Sequence, residues 1–96
     1  MGRVNKDQML DKSPVIVIDD EEHVRRALAQ SLDLVGFDPG TEESAEAALD
    51  HLSRSFPGVL ITDVRLGGMD GLELLGRVKE LDEDIPVILI TGHGDV

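Results

Sequence analysis

Ninety-six residues with 41% hydrophobic content suffice for one small domain around one core. Twenty Asp and Glu against nine Lys and Arg give a net charge of −11, which opposes direct contact with nucleic acid or an acidic membrane surface and suits cations or basic partner patches. The lack of cysteine excludes disulfides and thiolate chemistry and fits a cytoplasmic setting; no apolar run nears the ~20 residues of a membrane span, no signal-peptide core is read at the N-terminus, and 2% aromatic content leaves no stacking platform for single strands.

Residues 1–13, MGRVNKDQMLDKS, are polar and aperiodic and read as a flexible tail ahead of a domain over 14–96. Pro14 introduces VIVI, 15–18, a β-branched run expected of a central parallel strand covered on both faces. It leads straight into Asp19, Asp20, Glu21 and Glu22. Adjacent carboxylates at the mouth of a buried strand repel one another unless something positive sits among them. From Glu21 the period becomes helical: Val24, Ala27, Leu28, Leu32 and Val35 form a stripe that stops at Gly36. The acids at its start complement the helix dipole.

In FDPGTEES, a short strand over 37–41 is expected only at a sheet edge, because Pro39 cannot donate a ladder hydrogen bond. Ser44 is placed to cap a second helix with Ala45, Ala48, Leu49 and Leu52 inward, closed by FPG at 56–58. VLITD, 59–63, is a second buried-type strand that ends in an acid, Asp63. The glycine-rich RLGGMDG precedes a third helix carrying Leu72, Leu75, Val78, Lys79 and Leu81. Pro86 opens VILIT, 87–91, which ends at Thr91 and GHGDV. No internal repeat is present.

Strands alternating with amphipathic helices predict βαβ units, hence an α/β fold with a doubly wound parallel sheet. Ligands of such sheets sit beyond the carboxyl ends of the strands. Asp19, Asp20, Asp63 and Thr91 all fall there, and a hard divalent cation would neutralise the acids. Magnesium suits them, since it takes one or two carboxylates and keeps waters and phosphate oxygens as its other ligands. Taken singly, each residue also has a local reading. Asp19 and Asp20 could cap the following helix, Asp63 could be a turn residue and Thr91 a plain strand end. His23 reads as a solvated helix residue and His93 as a loop residue. Local structure does not explain why three successive buried strands all end this way.

VIVIDDEEHVRRAL, VLITDVRLGGMDGLELL and VILITGHGD together resemble, in order and spacing, the three signature blocks of the response-regulator receiver domain, over about residues 14–96. TGHGD is most similar to receivers of nitrogen-regulation and dicarboxylate-transport type activators. The resemblance implies a flavodoxin-like receiver fold and a phosphoacceptor, Asp63, charged by a sensor histidine kinase. It implies magnesium held directly by Asp20 and Asp63, through water by Asp19, and by the backbone carbonyl of Arg65. Thr91 is implied as the hydroxyl that closes on the phosphoryl oxygens. The chain is then no enzyme, beyond assisting its own phosphorylation and dephosphorylation, and transcriptional output lies in a domain or partner outside it.

Three departures from the family stand out. Gly67 replaces a usual proline in the loop after the acceptor. Pro39 and Glu43 occupy usually apolar or small positions. The sequence also ends at Val96, before the family's fourth helix, fifth strand, fifth helix and strand-terminal lysine; Lys79 and Lys12 do not substitute for that lysine, being at no strand end. With the fifth strand absent, 87–91 is expected to be an uncovered edge that promotes self-association. Two rival functions are an interaction module that no longer signals by phosphate and a magnesium-dependent aspartyl phosphohydrolase. The second wants Asp-x-Asp after the first strand, where Glu21 stands instead.

Overall fold

A computed structural model describes residues 12–91; residues 1–11 of the tail expected over 1–13, and the segment 92–96 with His93, lie outside the described residues. Seven elements alternate in strict order: β1 (Pro14–Ile18), α1 (Glu22–Leu34), β2 (Asp38–Glu42), α2 (Ala45–His51), β3 (Val59–Asp63), α3 (Gly71–Leu81) and β4 (Val87–Ile90). The strands form one parallel sheet in the order β2-β1-β3-β4. The chain steps outward from β1 to β2, then crosses back over β1 to β3 and on to β4. Right-handed crossovers therefore put α1 on one face and α2 with α3 on the other, and the winding reverses between β1 and β3. This is the expected flavodoxin-like arrangement, here with four strands and three helices among the described residues.

The two faces are unequally filled. Ile16 and Ile18 of β1 lie beside Leu60 and Thr62 of β3 in register, and this face packs on Ala45, Ala48, Leu74, Val78 and Ile85. Val15 and Val17, of opposite parity, are buried beneath α1. Among the described residues the α1 face lies open over β3 and β4, with Ile88 49% exposed.

Several sequence expectations need correction. The α1 stripe was expected to enter the core, yet no α1 residue is fully buried, and Val24 and Val35 are exposed. α2 stops at His51, well short of FPG: Leu52 turns to an extended conformation and Phe56 packs on the core from the connecting loop. In α3 the core face is Gly71, Leu74 and Val78, while Leu72 is 57% exposed. β2 sits at the sheet edge as Pro39 requires, one residue later than expected, and β4 ends before Thr91. The stop at Gly36 holds, with φ +103 just beyond the Val35 cap, and so does the Ser44 cap, whose hydroxyl accepts from Ala47 N–H at 3.0 Å.

Candidate functional site

The winding reversal fixes where the chemistry can sit. Ile18 pairs with Thr62, so the next residues, Asp19 and Asp63, lie side by side at the carboxyl edge of the sheet, Asp63 as the last residue of β3. Each is 2% exposed. Each also accepts an amide from two residues on: Glu21 N–H reaches Asp19 Oδ1 at 2.9 Å, and Arg65 N–H reaches Asp63 Oδ1 at 3.2 Å. These matching Asx turns follow the ends of β1 and β3. Arg25 of α1 fixes the first turn by donating from Nη1 to the Asp19 carbonyl at 2.9 Å.

Neither acid is spent on capping α1. The cap position is Glu21, which makes no side-chain cap bond. Exposed Asp20 instead accepts the Gly67 N–H on Oδ2 at 3.2 Å, joining the β1–α1 and β3–α3 loops. The turn reading of Asp63 is correct as far as it goes, but a surface turn does not require a buried carboxylate.

Behind Asp63, the start of α3 lies directly on the end of β3. A Cβ on Gly71 would strike the Asp63 carbonyl oxygen, and Gly71 N–H donates to the Val64 carbonyl at 2.9 Å. Asp70 caps α3, accepting Glu73 N–H at 2.8 Å. That role was legible in the Asp-x-x-Glu spacing of MDGLE, although the sequence reading left it unassigned. In β4 the register partner of Asp63 is Ile90, so exposed Thr91 emerges next, beside Val64.

The electrostatics follow from this crowding. Burial pushes the Asp19 carboxyl above its ordinary range, the Glu21 amide partly offsets this, and the charges of Asp63, Asp20 and Glu21 add to the rise. Among the described residues no three His, Cys, Asp or Glu side chains converge in a metal-holding arrangement. Magnesium asks for less: one or two carboxylates, with waters and phosphate oxygens in the remaining positions. The all-oxygen donor set of Asp20, Asp63 and the Arg65 carbonyl fits that demand. Lys79 sits at the opposite end of the sheet, donating from Nζ to the carbonyls of Glu83 at 3.1 Å and Ile85 at 2.6 Å, so it does not reach the acids.

Glu46 of α2 is a neighbour that sequence reasoning missed; it accepts Met69 N–H on Oε2 at 3.2 Å. No local pattern signals a contact across so much sequence.

Comparison with known proteins matches residues 15–96 to the response regulator receiver domain. The chain is 47% identical over 85 residues to the C4-dicarboxylate transport transcriptional regulatory protein DctD of Pseudomonas aeruginosa, covering 88% of this chain and 18% of that protein. Its fold is similar to the crystal structure of FixJ-N, with TM-score 0.75 and 44% identity over 90% of this chain and 69% of that one. It is also similar to the structure of response regulator StyR, with TM-score 0.80 and 36% identity over 88% of this chain and 43% of that one. The chain spans less than half the length of the curated relatives it matches. No helix among the described residues is long and apolar enough to cross a membrane.

Proposed function

The chain belongs to the response regulator receiver domain family, and we propose that it serves there as a phosphoacceptor, taking a phosphoryl group from a sensor histidine kinase onto Asp63 with magnesium bound beside it. The observation that carries this reading is the pair of buried carboxylates, Asp19 and Asp63, emerging side by side at the winding reversal. A fold gains nothing from crowding two buried acids, whereas a site for a cation and a phosphoryl group needs them there.

In the transfer an Asp63 carboxylate oxygen forms a bond to phosphorus as the P–N bond of the donor phosphohistidine breaks. The electron pair stays on the imidazole nitrogen, which takes up a proton. Such a transfer asks the protein for alignment and charge neutralisation rather than covalent machinery. Asp20 and Asp63 would hold magnesium directly, the Arg65 carbonyl would add a donor, and Asp19 would act through water; the ion supplies positive charge to offset the carboxylates and the incoming phosphoryl oxygens. The Asx turn at Asp63 holds Oδ1 through the Arg65 amide, which restricts how the carboxylate can rotate. The Thr91 hydroxyl, one step past the register partner of Asp63, donates to a phosphoryl oxygen.

In this reading the chain is an acceptor and not an enzyme, works in the cytoplasm, and hands its state to an output domain or partner protein beyond these residues. Among the described residues β4 has no neighbour on its outer side, which supports self-association of the isolated chain through that edge.

The test is intact-mass measurement after treatment with acetyl phosphate and magnesium. One hydroxylamine-sensitive phosphoryl group is expected on the wild type and none on Asp63→Asn. Equal gain by both proteins would show a different acceptor. No gain by either would favour an interaction module that works without phosphate.

A further inference from the structure

Asp19 is held by three neighbours. Its N–H donates to the Glu42 carbonyl at the end of β2 at 3.2 Å, and its Oδ1 accepts the Glu21 N–H at 2.9 Å. Its carbonyl accepts Arg25 Nη1 at 2.9 Å. The first two bonds draw on main-chain partners that most residues at 42 and 21 would supply. The third depends on a side chain, so a substitution can remove it alone.

That carbonyl belongs to the peptide joining Asp19 to Asp20, which is planar and rigid. Fixing its oxygen fixes the plane, and with it the direction in which Asp20 leaves Asp19. The half-buried Arg25 thus reaches back from the first turn of α1 to the link between two acids. It does not do so by neutralising them: the charges acting on the Asp19 carboxyl are those of Asp63, Asp20 and Glu21. Arg26, one residue on, is the contrast, being exposed and paired with Glu22 at 3.1 Å.

We propose that Arg25 is a positioning residue for the cation site: through the Asp19 carbonyl it holds the peptide between Asp19 and Asp20 in the orientation that magnesium needs. The inference rests on the magnesium site proposed above and deepens it, because it makes rigidity the means by which the site selects its ion. Magnesium demands near-ideal octahedral geometry, whereas calcium accepts longer and less regular coordination. An acid pair whose joining peptide cannot swing favours the stricter ion, since less ordering remains to be done on binding.

Titration of the 96-residue chain with magnesium chloride and with calcium chloride, followed by NMR, tests this. Arg25→Met should bind magnesium about tenfold more weakly than the wild type, and calcium less than about threefold more weakly. Arg26→Met removes the same charge one residue on and should stay within about twofold of the wild type for both ions. Loss of a positive charge beside acids would by itself tighten cation binding, so the sign separates positioning from electrostatics. Unchanged or tighter magnesium binding by Arg25→Met overturns the proposal. Equal weakening for both ions overturns it too, because a site that is merely loosened loses both. Should circular dichroism show that Arg25→Met is unfolded, Arg25→Lys keeps the charge but offers a rotating ammonium in place of the planar fork. It should lower the ratio of magnesium to calcium affinity about threefold, and an unchanged ratio overturns the proposal by this second route. The underlying reading fails separately: in that case the wild type binds no magnesium, or Asp20→Asn binds as well as the wild type.

Discussion

At the carboxyl edge of the sheet Asp19 is raised in pKa, first by burial and then by its acidic neighbours, against the pull of the Glu21 amide. At the opposite end Asp82 is lowered, first by the Asp84 amide and then by that of Ser55, which it accepts at 3.0 Å each. Around Asp82 other polar groups are likewise satisfied, with Lys79 donating to two carbonyls at the turn into β4. One end of the sheet uses a carboxylate to close the fold; the other gathers carboxylates at a cost to it. That contrast agrees with the site proposed at the carboxyl edge, because carboxylates that burial and mutual repulsion disfavour suit a cation.

The largest effect should come from the core that both ends share. Leu74→Ala removes a fully buried side chain and should cost about 3 kcal/mol in urea unfolding, whereas Leu72→Ala, one turn-face away, should stay within about 0.5 kcal/mol. Similar losses for both would put the buried face of α3 elsewhere.

Next come the two acids, which should respond with opposite sign. The Asp82 carboxyl is lowered, so its contribution is present above its ordinary value of 3.8 and is lost as pH falls through the lower folded value. Asp82→Ala should therefore melt earlier than the wild type at neutral pH, and the gap should close in strong acid. The Asp19 carboxyl is raised, so the folded state is penalised once pH rises through the folded value and relieved toward 3.8 and below. Asp19→Asn, which keeps an oxygen for the Glu21 amide, should melt later than the wild type at neutral pH without magnesium, with the gain fading as pH falls toward 3.8. Thermal melts from pH 3 to pH 8 check both; loss of stability in both variants at neutral pH would remove the contrast.

The smallest change in folding is expected at the outer strand. Ile88 is 49% exposed on the open face of β4, so Ile88→Lys should reduce self-association in light scattering while costing less than about 1 kcal/mol. Leu89→Lys, on the packed face, should reduce association at a larger cost in folding. A concentration-independent wild-type monomer would show that the edge is silent.

The alternation of strands and helices was the most legible feature of the sequence. VLITD gave β3 to the residue because a continuous apolar run stops at an acid, and Pro39 correctly assigned β2 to an edge. Helix faces were harder to read. Leu72, Leu74 and Leu75 offer more than one possible stripe, and the close approach of Gly71 to the Asp63 carbonyl, which puts Gly71 on the buried face with Leu74 and Val78, leaves no mark in the hydrophobic periodicity. The end of α2 was misread because Phe56 is buried from a loop, and burial alone looks helical in sequence. In the candidate site the acids were visible as strand-terminal residues, while Arg25, Glu46 and the Gly67 amide were not. Their partners, apart from Asp19 near Arg25, lie far off in sequence, and two of the three bonds use main-chain N–H groups that every residue but proline carries.

The central claim, that Asp63 is the acceptor, is tested most directly by borohydride reduction of the chain after acetyl phosphate and magnesium treatment, followed by peptide mass mapping. Reduction converts an aspartyl phosphate to homoserine and so marks the carboxylate that carried the phosphoryl group. The account predicts homoserine at position 63 alone, absent when magnesium is chelated. Homoserine at Asp19, Asp20 or Asp70 in place of Asp63 would contradict it.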